Sequence, residues 1–93
     1  VDFVFEAARD TSVEEINAAM RAAADGPLKG ILGCTEFKNV SADFNHDSRS
    51  AVFHLDQTRV LDGRMARILA WYDNEWGFSC RMADVAVEVG RHL

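Results

Sequence analysis

The sequence predicts an α+β fold: one mostly antiparallel sheet covered by two helices. Three observations predict it. Apolar residues alternate with polar ones near the start (Val1, Phe3, Phe5, Ala7), which is the period of a half-buried strand. Asp62-Gly63 separates two further strand-like runs, a hairpin signal. After Glu75 the period lengthens, with Phe78, Met82, Val85 and Val89 on one side and Arg81, Asp84, Glu88 and Arg91 on the other. That is an amphipathic terminal helix.

The elements follow in order. Ser12 and Glu15 have capping-box spacing ahead of a helix whose inner face is Ile16, Met20 and Ala23, and Gly26-Pro27 stops it. Leu28 to Thr35 is short, apolar and broken by Gly30 and Gly33, predicting an irregular strand or loop. Val40, Ala42 and Phe44 alternate, predicting a strand that ends in the Asn45-His46-Asp47 turn. Ser50 to Leu55 reads as a strand, Thr58 to Leu61 as another or its continuation, and Met65 to Tyr72 as the return strand of the hairpin. No repeat, linker or low-complexity tract divides the chain, so a single unit over residues 1–93 is expected.

Ninety-three residues make a small domain with modest stability. An apolar fraction of 48% argues against disorder. A net charge of −5, with the basic residues scattered, argues against nucleic acid or an anionic membrane as partner. No apolar run approaches the roughly 18 residues of a membrane span. The chain opens inside a strand pattern without an initiator methionine, as a segment of a longer protein would. Cys34 and Cys80 lack metal or redox spacing, and a reducing cytoplasmic setting is expected.

Candidate site residues gather in Trp71-Tyr72-Asp73-Asn74-Glu75-Trp76-Gly77-Phe78-Ser79, where a strand hands over to a helix. The Asn74 amide offers a donor and an acceptor, suited to pairing with a carboxamide. Its structural alternative is a helix N-cap, and the two roles can coexist. Tyr72 and Phe78 flank it, with core packing as their ordinary fate. Trp71 and Trp76, with Gly77 permitting close approach, predict a tightly packed corner. Cys34 sits among glycines and apolar residues, and Cys80 has no histidine near it in sequence, so neither is expected to act as a nucleophile. His46, His54 and His92 are too dispersed for a metal and are expected at surfaces or interfaces. Gly30-x-x-Gly33 lacks the Gly-x-Gly-x-x-Gly pattern of a phosphate loop.

The stretch from Trp71 to Ser79 resembles the opening of the C-terminal helix of glyceraldehyde-3-phosphate dehydrogenases. Gly26-Pro27-Leu28-Lys29-Gly30-Ile31-Leu32-Gly33 with Thr35-Glu36, Val40-Ser41-Ala42-Asp43-Phe44-Asn45, and the opening strand with its Ser-Val-Glu-Glu-Ile helix are similar to the same family. The resemblance implies the C-terminal portion of a catalytic domain over residues 1–93, lacking the Rossmann domain. The family's Ser-Cys-Thr-Thr-Asn-Cys nucleophile motif is absent, and its histidine and phosphate-holding arginine belong upstream, so no catalytic residue is expected here.

For the parent protein the resemblance implies NAD-dependent, phosphorylating oxidation of glyceraldehyde 3-phosphate to 1,3-bisphosphoglycerate in glycolysis, by a cytoplasmic tetramer. It implies that Asn74 contacts the nicotinamide of NAD, with Tyr72 and Phe78 lining the region between that ring and the reactive thiol. The family often has tyrosine where this chain has Phe78, so a packing role and no role needing a hydroxyl is expected there. NAD binding by these residues alone is expected to be weak or absent. Two alternatives stand beside this reading: an erythrose-4-phosphate dehydrogenase, and a non-catalytic subunit-assembly module.

Overall fold

A computed structural model describes residues 1–93. Five strands and two helices follow in the order β1 (Asp2–Glu6), α1 (Val13–Asp25), β2 (Leu32–Thr35), β3 (Ala51–His54), β4 (Arg59–Leu61), β5 (Met65–Trp71) and α2 (Trp76–Arg91). β5 is the organising strand. Its residues 65–69 pair antiparallel with β1, its opposite edge takes β4 and then β3, and β2 closes the order β1-β5-β3-β2. β2 and β3 are the single parallel pair, in the register Leu32↔Ala51 to Thr35↔His54. The sheet is therefore mixed but mostly antiparallel, and the fold class is α+β as expected.

The hairpin signal held for a conformational reason: Asp62 and Gly63 have φ of 53° and 75°, the region that glycine favours and asparagine or aspartate tolerates. Ser12 caps α1, its Oγ accepting the Glu15 N–H at 3.1 Å. The reciprocal half of the capping box does not form, because the Glu15 carboxylate is taken by Arg9.

Val40 to Phe44 is not the strand that its alternation predicts. Ser41–Phe44 is a 3₁₀ turn, in which the Asp43 carboxylate accepts the Val40 N–H at 2.8 Å and the Asp43 N–H bonds the Val40 carbonyl at 3.0 Å. A short acidic side chain that bonds nearby backbone competes with a strand ladder. Phe44 is buried while Val40 stays exposed, so the alternation did not mark a face.

The core is small. Val52, Phe53, Leu55, Ala66 and Phe44 are buried, together with Thr58 and His54. Helix α1 is tied to it by Asn17, which donates from Nδ2 to the Leu55 carbonyl (2.9 Å) and accepts from Thr58 Oγ1 (2.7 Å). The burial of His54, only 4% exposed, corrects the expectation of a surface or interface histidine. β3 runs through the middle of the sheet, so its last residue goes inside.

The two helices cover the sheet unequally. α1 lies against β2, whereas α2 meets the rest of the chain near its first turns and then runs free. Its apolar residues Met82, Val85 and Val89 remain more than half exposed.

Candidate functional site

The turn joining β5 to α2 presents the candidate residues, and Asp73 builds it. Asp73 Oδ1 accepts the Trp76 N–H at 2.8 Å and the Glu75 N–H at 3.1 Å, which caps the first turn of α2. Its Oδ2 accepts the His46 N–H at 2.8 Å from the loop before β3. These backbone donors, that of His46 first, hold the Asp73 carboxyl below the usual carboxylate range. The cap therefore belongs to Asp73, and the amide of Asn74 stays outside the capping bonds.

Asn74 is exposed and lines an open cavity of about 350 Å³ with Tyr72, Phe78, Ser50, Asp73 and Arg81. All three residues singled out in the sequence thus share one cavity. Tyr72 and Phe78 are 48% and 66% exposed, which sets aside core packing as their role within this chain. Trp76 stacks on His46 with ring centroids 3.9 Å apart, and Trp71 stacks on Phe44 at 5.4 Å. Gly77 is buried where a Cβ would stand 2.6 Å from the Arg49 carbonyl oxygen, so the predicted close approach is a backbone contact.

Sequence reasoning missed Ser50 and Arg81 and placed Arg81 on the outer face of the helix. Arg81 instead reaches back, donating from Nη1 to the Ser48 carbonyl (3.1 Å) and to Ser50 Oγ (3.2 Å), with Nε on Asp84 (2.8 Å). Its position three residues after Phe78 was the available signal, since such neighbours share a helix surface.

The remaining candidates lie elsewhere. Cys34 stands in β2, and burial above all pushes its thiol up, the wrong direction for a nucleophile. Cys80 lies in α2, and both cysteines are free thiols. His92 contacts Glu88 at the end of α2, and His54 sits against Trp71 within the sheet. No helix is long and apolar enough to cross a membrane.

Residues 1–74 match the model of the family described as glyceraldehyde 3-phosphate dehydrogenase, C-terminal domain. The whole chain is 72% identical to a glyceraldehyde-3-phosphate dehydrogenase of Cereibacter sphaeroides, of which it covers 28%. It is 59% identical over 98% of its length to that of Xanthobacter flavus, covering 27% of the relative. With the enzyme of Zymomonas mobilis it shares 50% identity, again across 28% of the relative. The chain thus spans a little over a quarter of the length of these relatives, and with its family model matched from Val1 to Asn74 it belongs to the glyceraldehyde-3-phosphate dehydrogenase family.

Proposed function

We propose that residues 1–93 are the C-terminal portion of the catalytic domain of an NAD-dependent, phosphorylating glyceraldehyde-3-phosphate dehydrogenase. The parent protein is a cytoplasmic tetramer that oxidises glyceraldehyde 3-phosphate to 1,3-bisphosphoglycerate in glycolysis. Within it this chain binds and orients rather than reacts. Asn74 holds the carboxamide of the nicotinamide through its donor and its acceptor together, and Tyr72 and Phe78 bound the space beside it. When bound, NAD supplies the hydride-accepting ring, and the protein's contribution here is the angle at which that ring is presented.

One observation carries the reading. Asp73 takes the Glu75 and Trp76 N–H groups at the start of α2, which leaves the Asn74 amide outside those bonds at the edge of a cavity rimmed by two aromatic rings. The absence of a hydroxyl at Phe78 restricts that residue to packing.

The test is substitution in the full-length enzyme. Asn74→Ala removes the pairing and leaves a carboxamide partly unsatisfied, a loss of about 1–2 kcal/mol that lowers kcat/KM for NAD roughly fivefold to thirtyfold. Asn74→Asp keeps an acceptor, loses the donor and still folds, because Asp73 carries the cap, yet turns over poorly. Wild-type kinetics in both variants would overturn the assignment.

A further inference from the structure

His54 is the most buried titratable side chain of the molecule, and the proposed function above gives it no role. It ends β3, two residues beyond Val52, which pairs with Trp71 of β5. That register places His54 diagonally across from Trp71 on the same face, within reach of long side chains. The indole Nε1 of Trp71 stands 2.9 Å from His54 Nδ1. An indole N–H can only donate, so Nδ1 accepts and the ring proton resides on Nε2. Nε2 is buried and lies 2.8 Å from Asp56 Oδ1, but without the alignment of a hydrogen bond. The Trp71 contact is therefore the one well-aligned hydrogen bond of the ring.

Trp71 is also the last residue before the Asn74 turn. Its opposite partner is Phe44, stacked at 5.4 Å with the ring planes 8° apart. Phe44 is followed by the loop whose His46 N–H binds Asp73 Oδ2 and whose His46 ring stacks on Trp76. His46 adopts the left-handed φ of 65°, so the loop holds a conformation that non-glycine residues rarely keep without support. One chain of contacts thus runs from His54 through Trp71, Phe44 and His46 to Asp73 and Trp76, on both sides of Asn74.

We propose that His54 is a positioning residue: by accepting the Trp71 indole N–H it fixes the indole against Phe44 and so sets the Asn74 turn for the cofactor carboxamide. This rests on the reading of Asn74 given above. The packing around His54 supports the proposal chemically. His54 is buried and Trp71 half-buried beside an open cavity of about 350 Å³, so losing the acceptor leaves the indole N–H without the partner that orients the ring.

Side-chain shape supplies the test. An asparagine oxygen falls where His54 Nδ1 stands and can still accept from Trp71, whereas the amide of glutamine extends to the Nε2 side. In the full-length enzyme, His54→Gln should lower kcat/KM for NAD about fivefold while KM for the aldehyde stays within twofold. His54→Asn should restore most of that loss. In an Asn74→Ala background the His54→Gln effect should largely vanish, since two residues that act through one contact do not add. Thermal unfolding of both His54 variants is measured in parallel, so that a shared loss of stability is separated from the kinetic difference. Equal losses in the Asn and Gln variants, or a full His54→Gln effect in the Asn74→Ala background, would overturn the inference. Asn74→Ala alone with wild-type kinetics would instead overturn the Asn74 reading, which keeps the two failures distinguishable.

Discussion

Asp73 uses both carboxylate oxygens, one toward the first turn of α2 and the other toward the His46 loop. Three backbone N–H groups converge on it, and each favours the charged form. Its pKa in the folded chain lies below that of the unfolded chain. The stabilisation it provides is thus complete above the ordinary carboxylate range and is lost as pH falls through the lowered folded value. Asn is nearly the equal of Asp as a simple cap, but here it has one oxygen for two directions and would aim its NH₂ at an N–H donor. Asp73→Asn should therefore weaken the protein at neutral pH, with the gap to wild type closing as the pH drops below about 4. Denaturation midpoints of both proteins across this range check it, and a gap independent of pH would remove the ionised carboxylate from the account.

At the scale of elements, two substitutions at helix starts act by different means, one through a backbone clash and one through a lost cap. Gly77 lies in the first turn of α2, where alanine would gain about 1 kcal/mol of helix propensity. A Cβ there would meet the backbone oxygen of Arg49 at 2.6 Å, and no side-chain rotation relieves a backbone clash. The steric effect wins. Gly77→Ala should destabilise by about 1–3 kcal/mol, and it should raise KM for NAD in the full-length enzyme because α2 carries Phe78 and Arg81 away from Asn74. An unchanged or raised melting temperature would show that the helix start has room to move. Ser12→Ala acts only through the cap it removes from α1, with an expected loss of about 1 kcal/mol by urea denaturation. Glu15, engaged by Arg9, does not compensate.

The whole molecule is more extended than a self-contained domain of its length. Its radius of gyration is 15.1 Å, where a compact chain of this size has about 12 Å. The accessible surface is 6410 Å², against about 5400 Å² for a typical folded monomer of this mass. The excess comes from α2, which projects with Met82, Val85 and Val89 uncovered, and from β1, which leaves Phe3 half exposed on an unpaired sheet edge. Such apolar surface and free strand edges drive association. The 93-residue chain prepared alone should therefore self-associate, and a single monomeric species in sedimentation at tens of micromolar would contradict this. It should also form no NADH from NAD and glyceraldehyde 3-phosphate, because the nucleophile motif is missing from its sequence. Substrate-dependent NADH that co-purifies with the chain would refute it.

The sequence by itself determined the elements that rest on local rules. Capping by Ser12, the Asp62-Gly63 turn, the β5 run and the periodicity of α2 depend on neighbours in the chain, and each was legible there. It also placed Tyr72, Asn74 and Phe78 at one junction, because a strand-to-helix handover confines them to a few residues. Val40 to Phe44 is also local in origin: Asp43 bonds the Val40 backbone three residues back, and this 3₁₀ turn outweighs the strand-like alternation. Asp73 caps α2 through the N–H groups two and three residues ahead of it, a local arrangement, and the fold adds the His46 N–H on its second oxygen. Tertiary structure alone decided which side chains meet across the sheet. His54 reads as a surface residue until the register of β3 against β5 sets it beside Trp71. Register is a relation between distant segments: no tight turn joins β3 to β5, so their pairing is fixed only where their buried faces meet.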